Sequence, residues 1–224
     1  MNKVVFRKAE YDYTVLKPLI FEMIDSSCTA SIGKGMRVLI KPNLLLPAKP
    51  EAAVITHPLV VKAAAEYVLE KGGTVTISDS PAIGLFAKIL KDGAYREAFE
   101  GMDVKFSEFK TSVKVDIGEP FGFIEIAKDA LEADAVINIA KLKTHAQMFL
   151  TLGVKNLFGC IVGFKKPEWH LRSGIDREMF ARLIVRIHRA VSPQVTIVDG
   201  ILGMEGQGPG KGGTPRRLGV LAGG

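Results

Sequence analysis

The stretch A-V-I-N-I-A-K-L-K-T-H at 135–145 decides the fold. Residues 135–139 have the length and β-branched character of a buried strand, and they empty into Lys141-Leu142-Lys143-Thr144-His145. Outward in both directions, similar apolar runs alternate with helical patterns. That alternation is the mark of a parallel or mixed sheet covered by helices.

Toward the N-terminus, residues 4–6 form a first strand. Val15, Leu16, Leu19, Ile20, Met23 and Ile24 then recur at helical spacing, with Pro18 tolerated near the helix start. Residues 36–40 are a second strand running into K-P-N at 41–43. Thr56-His57-Pro58 opens a helix with a capping side chain followed by proline, and Gly72-Gly73 closes it. A third strand at 75–78 ends in Asp79-Ser80-Pro81. A helical stretch broken at Asp92-Gly93 follows to Gly101, then short peripheral or hairpin-like strands at 104–109 and 114–117, and a short helix at 127–133.

Toward the C-terminus, residues 152–160 carry an apolar helical run. A later helix gathers Met179, Phe180, Leu183, Ile184, Ile187 and Val191 on one face and Arg182, Arg186 and Arg189 on the other. The strand at 194–198 delivers Asp199, and a glycine-rich loop covers 203–213. A strand at 218–222 follows just before Gly224, so it is expected to pair as an edge or to belong to an incomplete unit. The expected fold is α/β, a single domain over residues 1–224, with a mixed, mainly parallel sheet flanked by helices and incomplete at its C-terminus.

Composition narrows the class. With 224 residues, 47% hydrophobic and 24% charged, the chain is neither a disordered tail nor a collagenous or coiled-coil rod. No run reaches the roughly 18 apolar residues of a spanning helix, since 149–164 contains Lys155 and Asn156. No apolar segment follows the N-terminal charges as a secretory signal would require, so a cytoplasmic protein is expected. Cys28 and Cys160 are too few for a disulfide framework or an iron–sulfur cluster.

Charge is concentrated. The whole chain carries +6, while residues 141–190 alone hold ten Lys/Arg against three Asp/Glu. Such an excess suits an anionic partner or, more blandly, a solvated basic surface. Nucleic acid is not expected: the arginine face lacks interleaved aromatics, and Trp169 with Lys165, Lys166 and Arg172 is the single aromatic–basic cluster.

Polar residues collect just beyond the expected strands. Lys41, Asn43, Asp79, Ser80, Lys141, Lys143, Thr144, His145 and Asp199 all fall where an open α/β sheet forms its ligand crevice, and Thr56 follows the second of these loops. Clustered lysines suit a phosphate or carboxylate and depress one another's pKa, so one of them becomes a candidate base or Schiff-base amine. Lys155-Asn156 inside an apolar run is expensive unless it faces water or a ligand.

The glycine-rich loop fails the phosphate-loop spacing, because Glu205 and Gly212 stand where Gly and Ser/Thr are needed. It still offers a backbone cradle at Gly206 and Gly208, with Glu205 as a base or cation ligand; a plain surface loop is the alternative. Asp79, Asp199, Glu205 and His145 lack any diagnostic metal spacing, so no metal site is expected. No G-x-S-x-G occurs, and Cys160 reads as a core residue.

Taken in order, K-P-N-L at 41–44, T-H-P at 56–58, D-S-P at 79–81, N-I-A-K-L-K-T-H at 138–145, G-V-K-N-L-F-G at 153–159 and D-G-I-L-G-M-E-G-Q-G-P at 199–209 resemble the domain of unknown function 362 family. The resemblance spans nearly the whole chain. It implies an α/β fold, no established reaction, and in many relatives a ferredoxin-type module holding two [4Fe–4S] clusters. The cysteine runs of that module are absent here, and the family domain normally continues past the glycine-rich loop.

Two functions follow as expectations. In the first, an enzyme-like domain linked to redox metabolism binds a small anion. Lys141, Lys143 and His145 hold the anion, Lys155 and Asn156 line the floor, and Asp79, Asp199 and Glu205 orient polar groups; His145, Lys143 and Glu205 are the candidates for catalysis. In the second, a non-catalytic domain docks a ferredoxin-like or acidic partner on its arginines, and the strand-end lysines are dispersed.

Overall fold

A computed structural model describes residues 4–27, 32–163, 165–172, 176–209 and 212–224; Cys28, and Gly210 of the glycine-rich loop, lie outside them. The chain runs β1 (Val5–Lys8), α1 (Tyr13–Ser27), β2 (Arg37–Pro42), α2 (Pro58–Glu70), β3 (Thr74–Asp79), α3 (Phe86–Asp92), α4 (Tyr95–Ala98) and β4 (Val104–Glu108). It continues through β5 (Ser112–Asp116), β6 (Phe123–Ala127), α5 (Lys128–Glu132), β7 (Ala135–His145), β8 (Phe149–Thr151) and α6 (Gly153–Asn156). After a single 3-10 turn at Leu157–Cys160 come α7 (Lys165–Arg172), α8 (Arg177–Val191), β9 (Val195–Glu205) and β10 (Thr214–Gly223).

The main sheet has the order β1-β10-β9-β7-β2-β3-β4, with β8 paired to the end of β7. From β9 to β4 every pairing is parallel, so five strands bring their carboxyl ends to one edge. Alternation along each strand divides the core. Val38 and Ile40 of β2 pack with α1, α2 and α3, while Leu39 joins a second cluster with α5 and α8. Cys160 lies in that second cluster, its thiol pushed up to about 12 by burial.

Several expected boundaries move. β10 is no edge: it pairs antiparallel with β1 on one side and β9 on the other. β9 continues to Glu205 instead of giving way to a loop at Gly203. Its glycines serve packing, because a Cβ on Gly203 would stand 2.9 Å from the Leu218 side chain and one on Gly200 3.0 Å from Val220. β4 belongs to the main sheet as its edge strand, whereas β5 forms a separate hairpin with β6, which the sequence reading did not identify. The apolar run at 152–160 is one α-helical turn followed by a 3-10 turn, not a continuous α-helix, and a short strand precedes it. Gly153 explains part of this, since a Cβ there would lie 2.3 Å from the Thr196 methyl of β9, so the backbone must press directly on the sheet.

Candidate functional site

At the carboxyl edge of the sheet lies a cavity of about 980 Å³, and four lysines line it. Lys41, near the end of β2, places Nζ 2.8 Å from Asp79 Oδ1 and donates to the Pro42 carbonyl at 2.9 Å. Asp79 ends β3 and also accepts from the Leu44 and Ser80 backbone N–H groups, at 2.7 and 2.9 Å. The pair is buried and its carboxylate is fully engaged. Gly159 makes room for it: a Cβ would fall 2.4 Å from Asp79 Oδ1 and 2.5 Å from Lys41 Nζ. Gly159→Ala is therefore expected to displace the pair and cost about 1–3 kcal/mol, the range for overpacking. A urea unfolding curve that matches the parent would remove this role for the glycine.

Lys143 is only 2% exposed and, among the described residues, has no carboxylate partner. Its Nζ donates to Asn43 Oδ1 at 2.8 Å and the Val54 carbonyl at 2.5 Å. Burial, then the charge of Lys155, pulls its pKa down to about 7. Lys155, on α6, lies over the rings of Phe158 and Phe180, 4.8 and 5.7 Å from their centroids. Among the described residues its Nζ has no hydrogen-bond or ion-pair partner. Burial, with Lys41 next, lowers its pKa to about 8. Lys166, on α7, donates to the Ser80 carbonyl, and burial lowers it to about 8 against the pull of Asp79.

Amides hold the floor. Asn43 Nδ2 donates to Asn156 Oδ1 at 3.0 Å, and Asn156 Nδ2 donates to Asn138 Oδ1 at 2.8 Å and to the Lys41 carbonyl at 3.2 Å. His145 Nδ1 accepts from the Gln147 and Met148 N–H groups, which leaves the ring proton on Nε2. Burial, then Lys155, pushes its pKa down to about 3, so near neutral pH it is an uncharged donor and not a cation. Thr144 Oγ1 is buried and, among the described residues, has no hydrogen-bond partner. A native buried hydroxyl left this way calls for an explanation, and a bound ligand is one.

Of the residues singled out from sequence, Lys41, Asn43, Asp79, Ser80, Lys143, Thr144, His145, Lys155, Asn156, Gly206 and Gly208 line the cavity. Thr56, Lys141, Asp199 and Glu205 do not. Thr56 Oγ1 donates to the Ile139 carbonyl and accepts from Asn43 N–H, fixing the exit from β2. Lys141 is held by Asp199 and Tyr11 away from the cavity, at 2.8 and 2.9 Å. Glu205 is exposed and paired with Arg216 at 2.9 Å.

Lys166 and His170 join the lining without having been singled out as site residues. Their spacing of four along K-P-E-W-H put both on one helix face, which was the available signal. Cavity-lining residues include no carboxylate but Asp79. Among the described residues no group of His, Cys, Asp and Glu could hold a metal ion, and no helix is long and apolar enough to cross a membrane.

Comparison with known proteins places this architecture. A thylakoid-associated protein of Synechocystis sp. is 41% identical over 191 residues, covering 85% of this chain; the chain spans 59% of that relative's length. The lactate racemase apoprotein from Thermoanaerobacterium thermosaccharolyticum shares the fold at TM-score 0.54 with 13% identity, over 91% of this chain and 51% of the racemase. A family model, the domain of unknown function DUF362, matches residues 38–224. The chain that builds this lysine-lined sheet edge belongs to the DUF362 family.

Proposed function

We propose that this chain is an enzyme-like domain that binds a small organic anion, a carboxylate or a phosphate, in the cavity at the sheet edge. One observation carries the reading. Four lysines line the cavity against one carboxylate, and that carboxylate is matched to Lys41. Buried cations without counter-charge are costly, and a bound anion relieves the cost. A fold alone assigns no reaction, so the lysines and not the racemase likeness support this reading.

The docking alternative required dispersed strand-end lysines; Lys41 and Lys143 meet at the cavity together with Lys155 of α6, while Lys141 is turned away onto Asp199. Arg182 and Arg189 are exposed, as that alternative expected, with Arg182 in a surface pair with Glu178. The setting we propose, redox metabolism beside a ferredoxin-like module in the cytoplasm, rests on the family resemblance alone.

Thermal unfolding with inorganic phosphate and with 3-phenylpropionate tests the site. A saturable rise in Tm is expected, equivalent to about 2.7 kcal/mol at a hundredfold excess over Kd. Lys143→Ala/Lys155→Ala should lose it while remaining folded. No rise with either anion would refute the assignment.

A further inference from the structure

The four lysines of the cavity are not equivalent. Lys41 is locked in an ion pair with Asp79. Lys166 is anchored to the Ser80 carbonyl. Lys155 has only aromatic faces beneath its ammonium group, so its charge is available to a ligand. Lys143 differs again. Two neutral acceptors, Asn43 Oδ1 and the Val54 carbonyl, take two of its N–H groups and no anion holds it in the charged form. An amine held this way keeps both hydrogens satisfied when neutral, and its lone pair is left as the one unengaged valence. A buried lysine among other cations is the usual setting for an amine nucleophile.

The cavity also has an apolar side. Phe149, Phe158 and Pro209 line it, and its volume far exceeds that of a two- or three-carbon acid.

We propose that Lys143 forms an imine with a 2-oxo carboxylate bearing an apolar side group, with Lys155 holding the carboxylate and the aromatic wall holding the side group. The proposal rests on the anion-site reading and names its substrate class. The Lys143 Nζ lone pair adds to C2, the C2 oxygen takes one amine proton to give the carbinolamine, and that oxygen then leaves as water with the second amine hydrogen. One C–N double bond replaces the C–O double bond, and no oxidant or reductant is needed. Lys143 is neutral in substantial part near pH 7, as the addition requires.

The experiment treats the protein with phenylpyruvate and sodium borohydride, which reduces an imine to a stable secondary amine, and maps the adduct by peptide mass spectrometry. One equivalent on the Lys143 peptide is expected, with at least tenfold less on any other lysine. Lys143→Arg removes the primary amine and should lose the adduct, with thermal unfolding of the ligand-free variant showing that it is folded. Lys155→Met should lower trapping while leaving Lys143 in place. Binding of 3-phenylpropionate without any phenylpyruvate adduct, or an adduct spread over surface lysines or centred on Lys155, overturns the imine and leaves the anion site standing. Failure of both acids to bind or react, with no stabilisation by phosphate either, overturns both readings.

Discussion

Asp199→Asn is expected to destabilise the protein by about 3–5 kcal/mol, although it changes one atom in a residue outside the cavity. Every group around this buried carboxylate is a donor. Tyr11 O–H and Ile201 N–H point at Oδ1, at 2.8 and 3.3 Å; Lys141 Nζ and His57 N–H point at Oδ2, at 2.8 and 3.0 Å. An asparagine must turn its own NH₂ toward one of those donor pairs. It also leaves Lys141, fully buried, without its counter-charge. The damage spreads, because the Tyr11 ring is stacked on His57 at 3.7 Å, and His57 caps α2. The cluster thus ties the β1–α1 connection, α2 and β9 together. Urea unfolding measures the cost. Lys141→Met/Asp199→Leu, which removes both charges, should lose less than Asp199→Asn alone despite orphaning Tyr11 and His57. A loss below about 1 kcal/mol for Asp199→Asn would mean that Lys141 finds solvent.

This cluster also shows what was legible in the sequence. Strand positions followed from apolar runs, and the crevice followed from where those runs end, since parallel strands share a carboxyl edge. Lys155-Asn156 was legible for an energetic reason: a polar pair inside an apolar run must face something, and it faces the cavity. Lys141 and Lys143 could not be separated, because they share a strand face and a residue type. Their fates divide through register. β7 and β9 pair with Lys141 opposite Asp199, so the nearer carboxylate takes Lys141, and the irregularity that follows carries Lys143 past it. Pairing partners of this kind are non-local and leave no mark at either position. Lys166 was hidden for a similar reason, since only the packing of α7 against the Ser80 backbone turns it inward. The glycines of 199–209 misled because close strand packing and loop flexibility both select glycine.

Anion binding and intrinsic stability are expected to run in opposite directions with pH. Lys143 has its pKa lowered to about 7 and Lys155 and Lys166 to about 8, with burial the first cause in each. In the unfolded chain the same amines titrate at about 10.4. Between those limits the unfolded state binds more protons, so the ligand-free protein gains stability as pH rises from about 7 toward 10.4. The penalty of three buried charges is present in full below that window and relieved above it. An anion needs the charged amines, so its stabilising effect is largest near pH 6 and declines through pH 7 to 9, by up to about tenfold in affinity per pH unit for each titrating lysine. A carboxylate probe such as 3-phenylpropionate isolates the effect, because it stays ionised throughout, whereas phosphate changes its own charge near neutrality. Tm measured with and without the probe from pH 6 to 9.5 should give a rising baseline and a shrinking increment, and Lys143→Met should remove the lower inflection. An increment that stays level across this range would mean that fixed charges or backbone groups, and not these lysines, hold the anion.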